Sequence, residues 1–244
     1  LKVVSENPPN RSRFLVDGCV IPNFHRCDGT PQPGNRFHGE PEPAMYLTET
    51  LKRTFERVTG RGRPTARKAR AAVQKHKPKT FSFKDDGSIP NNRDLPVFIY
   101  EQAVRLDRAP DPAAVFEELF EANKWGDSWR NGIYDYVHYH SSIHEVLGIA
   151  RGRARVRLGG DRGKEFDVTA GDVLVLPAGT GHQNLMASDD FLVVGAYPPA
   201  GEYDVCRGGK AEHAKALKSI PKTPLPQADP VYGADGPLMR VWRK

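Results

Sequence analysis

The sequence predicts a mainly β protein: an antiparallel β-barrel or jelly roll with flanking helices and a long, partly disordered N-terminal extension. Three observations carry that prediction. Between residues 134 and 197 short apolar runs recur at even spacing, each parted from the next by a turn such as Gly159-Gly160-Asp161 or Ala170-Gly171-Asp172. Within that region Ala154, Val156 and Leu158 alternate with Arg153, Arg155 and Arg157, the period of a half-buried strand with a basic outer face. Finally, the first 44 residues carry prolines at 8, 9, 22, 31, 33, 41 and 43 and show no period that a core could bury.

Taken in order, residues 1–78 read as an extension that is Pro-rich and then basic. Leu47, Leu51, Phe55 and Val58 suggest a short amphipathic helix ended by Gly60, and a second helical piece follows Pro64. A barrel domain is expected over 79–205. It opens with β-like runs at Phe81 and Phe83 and at residues 97–100, punctuated by Asp-Asp-Gly and Pro-Asn-Asn turns. Asp111 as N-cap and Pro112 at the first helical position start a helix through Trp125, with Val115, Phe116, Leu119 and Phe120 on one face. Strands then follow, ending with residues 191–197. The remainder, 206–244, has one helix stopped by Pro221 and a tail whose Met239, Val241 and Trp242 lie back across the barrel.

Composition narrows the setting. Three cysteines, Cys19, Cys27 and Cys206, have no CxxC spacing and suit free thiols in a reducing, cytoplasmic compartment. No run is apolar enough to span a bilayer, and residues 1–13 lack the core of a secretory signal. The net charge of +6 is misleading, because residues 51–79 hold eleven Lys or Arg against the single acid Glu56, and the rest of the chain is net negative. Arg61-Gly62-Arg63-Pro64 has the form of a minor-groove hook, yet four letters in an Arg-rich stretch are weak support for nucleic-acid binding.

The chemistry concentrates at residues 132–152 and 171–182. His138 and His140 lie two apart, so on an extended chain both imidazoles leave one face. Glu145 follows a turn and His182 follows Pro177-Ala178-Gly179-Thr180-Gly181, so each can approach the same point from another strand. Three imidazoles and a carboxylate suit one divalent transition metal, Fe, Mn, Ni or Zn, with positions left open. His144 competes with Glu145, but on a strand only one of the two points inward. Tyr134 and Tyr136 share parity with the histidines; Tyr136 is the candidate catalytic side chain and Tyr134 a candidate substrate contact, each against the alternative of an aromatic filling the barrel. Arg130 shares that parity too and is a candidate for an anionic substrate group, against a rim ion pair. His25, His38, His76 and His213 read as ordinary surface or structural histidines.

Gly132, His138, His140, Glu145 and Gly152 stand at the spacings of the first cupin motif, and Gly171, Pro177, Gly179 and His182 at those of the second. The chain therefore resembles the cupin family. Residues 79–244, through 81–100, 131–152, 195–208 and 224–238, are similar to the YjlB-like group of bacterial single-domain cupins. The resemblance implies a cupin barrel, the ligand set His138, His140, Glu145 and His182, and pairing as a homodimer. One departure is Met186, where the second motif often carries Asn, with Asn184 nearer. Two functions are open: a metal-dependent enzyme (dioxygenase, or isomerase, epimerase or decarboxylase) acting on a small oxygen-rich metabolite, and a non-catalytic module that binds or stores a small molecule. Nucleic-acid binding through 51–79 is a distant third.

Overall fold

The computed structural model describes residues 43–243. The stretch up to residue 42 lies outside the described residues, and with it the expected disorder there and Cys19, Cys27, His25 and His38.

In chain order the strands are β1 (Lys79–Phe81), β2 (Val97–Tyr100), β3 (Gly126–Asn131), β4 (Glu145–Arg151), β5 (Arg153–Leu158), β6 (Lys164–Thr169), β7 (Val173–Leu176), β8 (His182–Ala187) and β9 (Leu192–Tyr197). They form a six-stranded sheet, β1-β2-β7-β4-β9-β3, and a three-stranded sheet, β6-β5-β8, with every pairing antiparallel. The helices are α1 (Pro43–Thr59), α2 (Ala66–Ala71), α3 (Pro112–Ala122), α4 (Lys210–Ser219) and α5 (Pro237–Trp242).

Strand parity assigns the core. Val97, Ile99, Leu147, Ile149, Leu174, Leu176 and Val193 share one cluster with Ala154, Val156, Leu158 and Val168 of the smaller sheet, so they fill the space between the sheets. Their neighbours Phe98, Tyr100, Val146, Val173, Val175 and Val194 face the other way, into a second cluster with Phe116, Leu119 and Phe120 of α3 and with Trp242. The larger sheet is thus covered on both faces. That is why β2, β7 and β9 read as continuous apolar runs and only β5 alternates cleanly. Two of the three arginines on the outer face of β5 are neutralised across the strand pair, Arg155 by Asp167 at 2.9 Å and Arg157 by Glu165 at 2.9 Å. Gly148 lets α3 approach, since a Cβ there would lie 2.6 Å from the Phe116 ring.

Two elements differ from the sequence reading. Helix α3 begins at the Asp111 cap, whose side chain accepts from the Ala113 N–H at 3.1 Å, but stops at Ala122 rather than Trp125. Lys124 takes φ +68° and the chain turns directly into β3, a strand the helical period had hidden. At the far end Trp242 is buried, its Nε1–H donating to the Pro96 carbonyl at 3.0 Å, while Val241 is exposed.

The short helices expected within residues 43–78 are present as α1, which ends before Gly60, and α2; the second difference lies in which side of α1 is buried. Here α1 turns its charged side inward and leaves Leu51, Phe55 and Val58 exposed. The reason is Arg130, whose side chain is 2 % exposed and meets Glu49 at 3.2 Å, Glu56 at 3.0 Å, Asp111 at 2.8 Å and Glu117 at 3.0 Å. Arg53 reaches Glu117 at 2.7 Å, and Arg63 reaches Glu117, Glu118 and Glu121 at 3.2, 3.0 and 3.1 Å. Three of the eleven basic residues of 51–79, Lys52, Arg53 and Arg63, are therefore matched by Asp111 and the acidic side of α3, and the second arginine of the hook-like tetrapeptide is held by three carboxylates. Burial pulls the Arg130 guanidinium down, but the surrounding carboxylates, Glu117 first, outweigh it and raise its pKa, while Glu56 is pushed up to about 6 by burial and by Asp111. Among the described residues no helix is long and apolar enough to cross a membrane.

Candidate metal centre

His138 and His140 lie on an extended segment that precedes β4. It is tied to the start of β8 by the pair His138 N–H to His182 carbonyl at 3.1 Å and His182 N–H to His138 carbonyl at 2.9 Å. The turn 177–181 folds against the same segment, with the Gly179 N–H donating to the His140 carbonyl at 2.7 Å. Gly179 holds φ +93°, and a Cβ there would stand 2.7 Å from the Asn91 carbonyl, so the motif glycine answers a steric demand. The Pro-Asn-Asn turn braces this loop from below. Asn91 accepts from the Gly181 N–H at 3.3 Å and Asn92 donates to the Ala178 carbonyl at 2.9 Å.

These ties bring His138, His140 and His182 into one buried cluster whose ligand atoms lie within 4.8 Å of one another, an arrangement able to hold a metal ion. Each ring is oriented the same way. Nδ1 of His138 meets the Tyr136 carbonyl at 3.2 Å, Nδ1 of His182 meets the Thr180 carbonyl at 3.1 Å, and Nδ1 of His140 bonds the Asp204 carbonyl. A carbonyl oxygen can only accept, so each Nδ1 carries the proton and each Nε2 is left for the centre. Glu145, at the first position of β4, points between the sheets with Leu147 and Ile149. Its Oε2 is buried without a hydrogen-bond partner, 3.5 Å from His140 Nε2 and 3.3 Å from His182 Nε2.

The electrostatics ask for positive charge at that point. Burial, then His182 and His140, push the His138 imidazole down to about 2. Burial opposes the imidazolium of His140 as well, but the Glu145 carboxylate outweighs it and raises its pKa. Burial would raise Glu145, and His140 and His182 hold it instead well below the usual carboxylate range. Convergent nitrogen lone pairs beside a buried, unpartnered carboxylate oxygen are mutually repulsive unless protons or a cation sit among them. The residues present fit a divalent ion on that ground.

The remaining site candidates separate. His144 is fully buried on the opposite face of the sheet, its Nδ1 accepting from the Ala178 N–H at 3.0 Å and its ring 4.8 Å from Trp242. Tyr134 and Tyr136 stack on each other at 4.8 Å and stand edge-on to His138 at 5.0 and 5.6 Å, walling one side of the cluster rather than filling the barrel. Arg130 is not among them: its guanidinium is buried in the carboxylate cage under α1. Position 186 also has an account. A register shift in β8 between the partners of Arg155 and Val156 turns Met186 outward, 71 % exposed, and leaves Asn184 as the buried residue.

Three residues of the site carried no signal in the spacing. Asp204 accepts from the Ser141 N–H at 2.8 Å and the Ser141 hydroxyl at 2.6 Å, fixing the turn after His140 while its own carbonyl orients that ring. Tyr197 and Tyr203 lie 6.1 and 5.1 Å from His140, and the Trp129 indole donates to the Tyr197 hydroxyl at 2.8 Å. Burial and then Glu145 raise the Tyr197 phenol, and burial with Tyr134 and Glu145 pushes Tyr203 up to about 12, so both remain protonated donors.

No family model matches the chain. Over 165 residues, however, it is 38% identical to the uncharacterised protein YjlB of Bacillus subtilis (strain 168), a stretch covering 68% of this chain and 96% of that one. The chain belongs to the YjlB-like cupins. Solved structures similar to it include oxalate decarboxylase from Bacillus subtilis, 18% identical with a TM-score of 0.29 over 49% of this chain and 29% of that one. Another is an 11S globulin from Wrightia tinctoria, 15% identical with a TM-score of 0.25 over 32% of this chain and 21% of that one. The cupin spans under a third of either solved chain, so its family rests on YjlB and on its motif residues.

Proposed function

We propose that this cupin is a metal-dependent enzyme in which His138, His140, Glu145 and His182 hold one divalent ion, Fe, Mn, Ni or Zn, and turn over a small oxygen-rich metabolite. One observation carries the reading: three Nε2 atoms, each freed by a carbonyl on Nδ1, converge with a buried, unpartnered carboxylate oxygen. Bound there, the ion would act as a Lewis acid, chelating a carbonyl, hydroxyl or carboxylate pair and stabilising developing negative charge. The chain's own residues do the rest. The stacked Tyr134 and Tyr136 wall one side of the centre beside His138, with Tyr136 the side chain proposed to touch the substrate during reaction. Tyr197 and Tyr203, kept protonated, offer hydrogen bonds to oxygen and cannot serve as bases near neutrality. Asp204 positions His140.

The test is oxygen consumption and product formation across diols, keto acids and catechols, comparing metal-loaded wild type with His182→Ala. Turnover of one class by the wild type and none by the variant supports an enzyme. A compound that binds the metal-loaded protein and is recovered unchanged under every condition favours the binding or storage module instead.

A further inference from the structure

The segment 203–207 crosses the aromatic side of the metal centre and ends in Arg207. The Arg207 guanidinium lies on the face of Tyr136, Cζ 3.9 Å from the ring centroid, and Tyr136 is in turn 5.6 Å from the His138 ring. The cation is therefore one aromatic ring away from the candidate ligands. Acids stand nearby, yet each is engaged elsewhere. Glu212 accepts the backbone N–H groups of Arg207 and Gly209 at 2.9 and 3.0 Å, capping α4, and Asp204 is turned onto Ser141 and Ser142. Among the described residues the guanidinium has no ion pair and no hydrogen bond. Its exposure is that of a surface side chain, and its contact is the ring beneath it.

A guanidinium laid on an aromatic face keeps its N–H edge free, and that edge matches a carboxylate in a two-point hydrogen bond. Charge points the same way. A divalent ion with three neutral imidazoles and one carboxylate keeps a net positive charge, and Arg207 adds a second at the rim, so the mouth attracts anions. The geometry points to Arg207 as the anchor for a substrate carboxylate, and so to a carboxylate that also carries a chelating oxygen pair as the substrate class, its chelating oxygens toward the histidine cluster. This rests on the metal reading above.

The test is a cycle over two probes and two proteins. The probes are 3,4-dihydroxybenzoate and 4-methylcatechol, which share the chelating oxygen pair and differ in the carboxylate. The proteins are wild type and Arg207→Gln, both loaded with metal and assayed for metal content. In wild type the carboxylate probe is expected to bind at least about tenfold tighter, as a hydrogen-bonded charge pair supplies. In R207Q that preference falls to near one, while metal content and 4-methylcatechol affinity hold. Wild type that takes up metal and binds 4-methylcatechol, but shows no carboxylate preference or one that R207Q retains, overturns the Arg207 proposal alone. Wild type that takes up no metal overturns the metal reading and this proposal with it.

Discussion

His144 converts burial into a pH dependence of stability that one substitution removes. Its imidazole is enclosed between the turn 177–181 and Trp242, and burial lowers its pKa from 6.5 to about 4. Between those values the unfolded chain carries a proton at this histidine and the native protein does not. The stability that this histidine contributes therefore declines as pH falls from about 6.5 to about 4 and is level on either side. Over roughly 2.5 pH units, at about 1.4 kcal/mol each, the loss is about 3 kcal/mol. His144→Asn keeps an acceptor for the Ala178 N–H and abolishes the titration. Urea denaturation of both metal-free proteins from about pH 7.5 to about 4.5 gives the comparison. The two proteins differ in titratable groups at this position alone, so the difference in slope belongs to His144, and any packing defect of the variant adds only a constant offset. The reasoning is refuted if the two profiles run parallel.

Three other substitutions probe the scaffold and the ring orientation. Arg130→Met leaves four buried carboxylates facing one another and should cost about 3–5 kcal/mol, lowering the thermal midpoint by roughly 10 °C; an unchanged midpoint contradicts the cage. Asp204→Ala should weaken metal binding about 10–100-fold in chelator competition, because it frees the turn that orients His140, and wild-type affinity would remove Asp204 from the site. Gly148→Ala drives a methyl to 2.6 Å from the Phe116 ring and should cost about 1–3 kcal/mol in denaturant, recovered in part by Phe116→Leu; equal losses with and without Phe116→Leu would place the strain elsewhere.

Local patterns foretold the parts of this chain whose causes are local. The β5 alternation, the Asp111 cap and the nine motif positions each depend on near neighbours or on a turn that glycine alone accommodates. Parity then separated Glu145 from His144 before any coordinates, since consecutive strand residues face opposite ways. What stayed hidden depends on distant partners. The apolar stripe of α1 implied a buried apolar face, but the helix sits over Arg130, so Glu49 and Glu56 turn inward and the stripe turns out. Strand β3 is polar and follows a left-handed Lys124, and neither feature belongs to a strand period. Asp204, Tyr197 and Tyr203 reach the site from a segment some 60 residues past His140 with no spacing to mark them, within the residues 195–208 that resemble the YjlB-like group.

The central claim is that the buried cluster holds a metal. Elemental analysis of protein purified from metal-replete medium, beside His182→Ala and Glu145→Gln, tests it most directly. About one divalent ion per wild-type chain and sharply reduced content in both variants are expected. Wild type that carries no stoichiometric metal and takes none up on reloading would contradict it.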